Sequence, residues 1–600
     1  MRKTPLLLLI IVAILPYTNT LKNEFVGYDD QNLIQHSREI RSLAPGNIAH
    51  MFVPRTRGNY QPIRTLSYAL DYALWGARPF GFHLTNILLH ALTVVGVWLL
   101  VRRLLPEPVP FLAALIFAVH PIHVESVTWM SARKDVLALA FFLFAILSYE
   151  KSERNGTWPY VASILLTALA LLSKLTAVSL PLCILLHEIC RDGWPRVGGF
   201  ARKLVRLTPH VLLVFLVVAL NFAHSGATSS HGDALASLER TSSALAQDIR
   251  LSMPLVVCRY IGLLLAPYGL VTHYDVARVS RIADPRALLP IVILSALIIS
   301  GVVCFFKGRK TQAFGIGWFF ITLLPASNII PTASMMNDRY MHMPSIGFSI
   351  LLAMALAYPA RTMRRKSEGS AWPLTIMPVI LVVLLLSTLT IRRNTDWRNT
   401  ETLFSRTLRI NSRSVDARLA LGAIYGETRD YDSAIKMYRD ALEVDPGNYR
   451  VLYNLGVAYT KKGWFHQAIK ALEDSRAANP DFIPTRFNLA LAYHEQGQYQ
   501  QAIAEHREVL RINPRRAASH GDLGRIYLKM GQTDLALMEL NEALDIQPNL
   551  TPALIDRARL FMQQDWRAEA EKDIQRLESL GVNVQSLRSQ LQHTNNANTK

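Results

Sequence analysis

Two patterns of apolar and polar positions divide this chain near residue 395. Before it, apolar residues come in unbroken runs such as LLLLIIVAIL, VLALAFFLFAIL and MPVILVVLLLSTLTI, which approach the ~20 residues a helix needs to cross a bilayer. After it, apolar residues recur at helical intervals within a unit that repeats. The first region predicts helical spans at roughly 5–20, 83–101, 110–129, 135–149, 158–172, 175–190, 207–223, 287–306, 312–326, 345–360 and 372–391. Residues 251–271, LSMPLVVCRYIGLLLAPYGLV, are also apolar. Counting them as a twelfth span would turn the basic KGRK loop outward, so they are assigned a re-entrant or interfacial position. The first outside loop, 21–82, carries DQNLIQHSREI and YQPIRTLSYALDYALWG, which read as short amphipathic helices on the membrane surface.

In the second region prolines recur at 446, 480, 514 and 548, a spacing of 34 residues. Leu421, Leu455, Leu489 and Leu523 share one phase, as do Tyr425, Tyr459, Tyr493 and Tyr527, and Ala434, Ala468, Ala502 and Ala536. This is the tetratricopeptide pattern, a helix–turn–helix unit that stacks into a solenoid with a concave face. Four full units are predicted from about 415 to 550, with a degenerate fifth after 551 and a half unit before 415. The fold class is therefore all-α: a polytopic helical membrane domain over 1–394, a connecting half repeat over 395–414, a repeat solenoid over 415–584 and a disordered tail over 585–600.

Charge adds a direction. The net charge is +19. Residues 396–600 hold 27 Lys/Arg against 26 Asp/Glu, so +18 belongs to the membrane region. There the basic residues fall in alternate loops (Arg102, Arg103, Lys151, Arg191, Lys203, Lys307, Arg364 and Arg365 among them), as the positive-inside rule requires when Arg2 and Lys3 are cytoplasmic. That reading replaces nucleic-acid binding as the cause of the basic balance. It places the loop 21–82 and everything after residue 392 outside: the periplasm in a bacterial cell, with the protein in the inner membrane, or the lumen of the endoplasmic reticulum in a eukaryote. The N-terminus reads as an uncleaved first helix. The four cysteines lie in apolar segments without CxxC spacing and read as small hydrophobes.

Three groups of polar residues at outer helix ends carry the candidate chemistry. The first is Asp29 and Asp30 in FVGYDDQNLI, directly after the first span. The second is HPIHVESVTWMSARKD, with His120, His123, Glu125, Arg133, Lys134 and Asp135. Ionisable residues at membrane depth are costly and mark function by default. His120 and His123 could share a helical face, but Glu125 falls about 140° around from His120. No cofactor is required, and a divalent metal is left open. The third is LPASNIIPTASMMNDRYMHMPSIG, where Arg339 is suited to grip a phosphate through forked, charged hydrogen bonds, or to pair with Asp338. Tyr60, Arg64, Asp71, Arg392 and Arg393 could join the same surface. His83 and His90 read as core histidines.

These motifs, with PFGFHLTNILLHAL and the fused repeats, resemble the transmembrane and tetratricopeptide repeat-containing protein O-mannosyltransferases of the GT-C glycosyltransferase superfamily. The resemblance covers nearly the whole chain. It implies inverting transfer of a sugar, mannose by the family's name, from a polyprenyl-phosphate-linked donor to serine or threonine of a protein acceptor on the outer face. By position it implies Asp29 as catalytic base with Asp30 beside it, and His120, His123, Glu125, Arg133, Arg339, Tyr340, Arg64 and Tyr60 as donor- or substrate-binding residues. Gln61 departs from the arginine of a YRPL-like motif, with Arg64 as a substitute. The residue chemistry agrees: a base must take the acceptor hydroxyl proton, and an adjacent like charge raises one carboxylate's pKa. The alternative for the pair is a helix cap at Asp29 and a loop-arginine partner for Asp30. Two rival functions are a lipid-linked sugar transporter, which would carry polar residues along mid-membrane broken helices, and a membrane scaffold for the repeats, which would need a single anchor.

Overall fold

The computed structural model describes residues 3–27, 29–53, 60–194, 197–225, 243–329, 334–363 and 372–597. Arg2, Arg364 and Arg365, used above to orient the spans, lie outside them. Among the described residues the chain is helical throughout and holds no strand. It divides into two compact units, Met1–Ser414 and Val415–Lys600.

Each of the eleven apolar segments lies on a helix. Five of those helices are long and apolar enough to cross a membrane, and six if the bent pair Val109–Val119 and Pro121–Thr128 counts as one span. Thr157–Ser173 and Ser345–Tyr358 are shorter apolar helices among the described residues. The bend in the pair is 51°. It falls at His120, which is extended at φ −72°, ψ 124°, because the proline that follows disfavours helical backbone at the preceding residue and has no N–H to donate. Of the segment expected to be re-entrant or interfacial, residues 251–265 lie on one helix, Ser243–Leu265, and 266–271 follow it outside the helix. Its Val256, Tyr260 and Leu264 pack with Phe319, Leu323 and Met341.

The core of the first unit is built around the Pro79–Val101 helix, which packs on Lys3–Ile14, Val109–Val119 and Arg133–Asn155. Helices Lys310–Leu323 and Ser345–Met363 approach so closely that a Cβ on Gly347 would lie 2.2 Å from the Gly315 carbonyl oxygen, the small-residue packing of membrane helices.

In the second unit five helix pairs stack, from Val415–Glu427 with Tyr431–Leu442 to Thr551–Gln563 with Arg567–Ser579. The fifth pair is complete despite its degenerate sequence. A helix, Gln585–Ala597, follows where a structureless tail was expected. The residues expected to form a connecting half repeat contain the helix Thr400–Ile410, which belongs to the first unit. The periodic positions interlock: a Cβ on Gly456 or Gly524 would meet Leu472 or Leu540 at 2.5 and 2.6 Å. The turns inside the pairs need a left-handed residue, supplied by Gly463, Gly497 and Gly531.

Candidate functional site

The site is assembled by a strap of extended chain that follows the first helices. Asn23 donates to the Asn394 carbonyl at 3.1 Å, the Glu24 N–H to the Arg398 carbonyl at 2.8 Å and the Gly27 N–H to Thr400 Oγ1 at 2.6 Å. Buried Asn394 ties three distant segments together. It donates to the Pro16 carbonyl at 2.8 Å and to Asn19 Oδ1 at 2.9 Å, and accepts from Thr128 Oγ1 at 2.9 Å. A lone asparagine in the last turn of the Trp372–Asp396 helix gave no periodic or motif signal of this role.

The two adjacent carboxylates then part company. Asp30 is fully buried. Its Oδ2 accepts the Val26 N–H at 2.9 Å, and its Oδ1 accepts the Ser131 N–H at 3.0 Å and the Ser131 hydroxyl. Its partners are thus backbone and serine, not a loop arginine. Burial pushes its carboxyl from 3.8 up to about 7, with the charge of Asp29 a smaller contribution. Asp29 is half-buried and has no hydrogen bond or ion pair among the described residues. It lines a cavity of about 320 Å³ together with Tyr60, Gln61, Arg64, Tyr68 and Lys134.

Arg64 is 8% exposed and its Nε has no partner. Its NH1 donates to Gln61 Oε1 at 2.6 Å, so the glutamine that departs from the expected motif is bonded to the nearby arginine. Lys134 opens the Arg133–Asn155 helix and has no hydrogen-bond or ion-pair partner among the described residues. The cavity lining therefore combines the Asp29 and Glu39 carboxylates with Arg64 and Lys134. Tyr60 donates to the Phe52 carbonyl at 2.9 Å, which holds the rim.

The structure brings together Asp29, Tyr60 and Arg64 from the sequence-derived set and leaves the others outside the cavity. Arg133 is wholly buried. It forms an ion pair with Asp71 at 2.6 Å and donates to Asn86 Oδ1 at 2.7 Å and the Phe82 carbonyl at 2.8 Å. His120 donates to the Leu264 carbonyl at 3.0 Å and accepts the Ile122 N–H at 3.2 Å, so it caps the helix break. His123 meets His342 at 3.1 Å between Nδ1 atoms, beside Phe117. Glu125 takes both the Arg339 guanidinium at 2.6 Å and the Arg339 N–H at 3.2 Å. Arg339 thus pairs with Glu125 and not with Asp338, and its guanidinium lies 5.3 Å from the Trp129 ring and 5.6 Å from that of Tyr340. Lys134 was visible in the same motif as Arg133, but nothing in the spacing distinguished the neighbour that is consumed by the core from the one that faces the cavity. Among the described residues no group of three or more His, Cys, Asp or Glu side chains is arranged to hold a metal ion.

The comparisons with known proteins agree with this architecture. Residues 62–224 match the family model for dolichyl-phosphate-mannose-protein mannosyltransferase, and 427–492 and 481–549 match tetratricopeptide repeat models. Protein O-mannosyl-transferase F38B6.6 of Caenorhabditis elegans is 25% identical, over 74% of this chain and 63% of its own length. Protein O-mannosyl-transferase TMTC3 of Mus musculus is 25% identical over 73% of this chain and 51% of its own length. TMTC4 of Homo sapiens is 26% identical over 71% and 64%. The chain is thus similar to repeat-bearing protein O-mannosyl-transferases over about 70% of its length. It spans about half to just under two thirds of the length of these relatives. The segment that matches the mannosyltransferase model contains Arg64 and Lys134 and begins after Asp29.

The titration of Asp30 has a measurable consequence. A carboxyl whose folded-state pKa is raised contributes stability that is full below its unfolded value of 3.8 and is lost as pH rises through about 7. Thermal unfolding of the purified protein is expected to show a midpoint that falls between pH 4 and pH 7. In Asp30→Asn that slope should flatten, because the side chain no longer titrates.

Proposed function

We propose that this chain is an integral-membrane glycosyltransferase that moves a hexose, mannose by family, from a polyprenyl-phosphate donor to a serine or threonine hydroxyl of a protein. The observation that carries the proposal is the unpaired Asp29 carboxylate in one cavity with Arg64 and Lys134. Asp29 takes the hydroxyl proton as the acceptor oxygen bonds to the anomeric carbon. The bond from that carbon to the phosphate oxygen breaks with inversion, and the polyprenyl phosphate leaves with the bonding electrons. Arg64 and Lys134 stabilise the charge that develops on it. A cavity built from the loop between the first two spans suits a donor held in the membrane and an acceptor held in water. Catalysis is assigned to about 1–394, and the repeats from 415 to 584 select the acceptor through their concave face. The site faces the periplasm in a bacterial host, or the lumen of the endoplasmic reticulum in a eukaryotic one.

The test is transfer of radiolabelled mannose from polyprenyl-phosphate mannose into protein, in membranes that contain the full chain, with and without a chelator. Label in protein is the expected result, and the chelator arm decides whether a divalent metal takes part. Absence of label with mannose, glucose, galactose and N-acetylated donors would reject the enzyme. Removal of 415–600 is expected to lower transfer to protein by at least about tenfold while donor hydrolysis changes little. Equal loss of both would place the repeats outside acceptor selection.

A further inference from the structure

A second cleft in the first unit, of about 60 Å³, lies at the end of the Met377–Asp396 span and is lined by Arg392, Arg393, Arg406 and Asp396 with Pro267, Tyr268 and Leu389 among its walls. Its volume has room for a phosphate-sized group. Three guanidinium groups face one lining carboxylate. Asp396 is already used twice: it accepts from Arg393 NH1 at 2.9 Å and lies 3.8 Å from Arg406 Nε. Arg392 has no ion-pair partner among the described residues.

The decisive group is Arg393. Its side chain is 7% exposed, yet its Nε and NH2 have no hydrogen-bond acceptor. The nearest further anion is Asp338, 3.7 Å from NH2 and itself bonded by the Tyr274 hydroxyl. Basic residues in the last turn of a helix are favoured by the helix dipole. That preference accounts for a cation at this end but not for buried donors without acceptors, which cost free energy unless something accepts from them. Exposed apolar groups stand among the lining residues: Tyr268 is 85% exposed and Ile410 40%.

We propose that this cleft binds the phosphate of a membrane lipid, with Arg393 Nε and NH2 donating to its oxygens, Arg406 and Arg392 completing the charge, and Tyr268, Leu389 and Ile410 meeting the acyl or prenyl chain. The site is separate from the cavity of Asp29, whose lining shares none of these residues.

The test is native mass spectrometry of the full chain released from phosphatidylcholine nanodiscs that also contain phosphatidylglycerol or polyprenyl phosphate. Wild type is expected to retain one such lipid. Arg393→Gln and Arg406→Gln should each lower retention by about 10–100-fold, the worth of one hydrogen bond to a charged group, and Arg393→Lys should restore part of it. Arg406 is partly exposed, so its variant keeps the fold and reports on binding if Arg393→Gln unfolds. Preference for one of the two lipids names the source of the phosphate. Equal retention by wild type and both glutamine variants would overturn the proposal. So would displacement of the lipid by equimolar inorganic phosphate, which would make this a site for the free anion.

Discussion

Asp29→Asn is expected to lower sugar transfer by about 10²–10⁴-fold, the range attributed to a positioned general base, with the unfolding midpoint unchanged. The second half of that expectation follows from geometry. Asp29 makes no hydrogen bond or ion pair among the described residues, so the isosteric amide removes no contact. Its neighbour provides the contrast. Asp30→Asn puts an amide nitrogen where a carboxylate oxygen now accepts a backbone N–H, whether from Val26 or from Ser131, and should lower stability. Transfer in washed membranes together with thermal unfolding in detergent separates the two. Transfer by Asp29→Asn at the wild-type rate would remove Asp29 from the mechanism, and normal stability of Asp30→Asn would contradict the structural role of Asp30.

The second large effect is expected at Arg133. Arg133→Met should destabilise the first unit by about 3–5 kcal/mol, because it strands the Asp71 carboxylate in a buried site. Asp71 would keep only the Thr85 hydroxyl, at 2.7 Å. The double variant Arg133→Met with Asp71→Leu is expected to recover much of the loss, since replacing both buried charges by apolar groups leaves none unpaired. Unfolding midpoints of the single and double variants decide this. If Arg133→Met instead leaves stability intact and raises the KM for donor, Arg133 belongs to substrate binding, as its motif alone implied.

The pair Asp29–Asp30 and the pair Arg133–Lys134 share a lesson about adjacent residues of like charge. In each, one member is consumed by the fold and the other lines the cavity. On a helix, consecutive side chains point about 100° apart, so a buried turn must send them to different surroundings. A motif read as a string offers no means to choose between them. The same limit applied at Glu125 and Arg339. Both were legible as polar residues at membrane depth, yet their mutual ion pair joins positions 214 residues apart.

What the sequence by itself determined was whatever rests on local periodicity. The long apolar runs specify helices because a bilayer leaves backbone polar groups no partner but their own chain. The repeat of 34 residues specifies the paired helices because each unit buries its apolar face only against the next. The break at His120–Pro121 has a local cause, the missing N–H of proline, although the pattern of 110–129 reads as one span. What only the tertiary structure decided was the burial of single polar groups and the company they keep. Asn394 holds three segments together, Asp30 is closed off while Asp29 stays open, and Arg393 is buried with two donors unused. Those outcomes depend on contacts across hundreds of residues, and the energy of a charged group is set by its surroundings more than by its chemical identity.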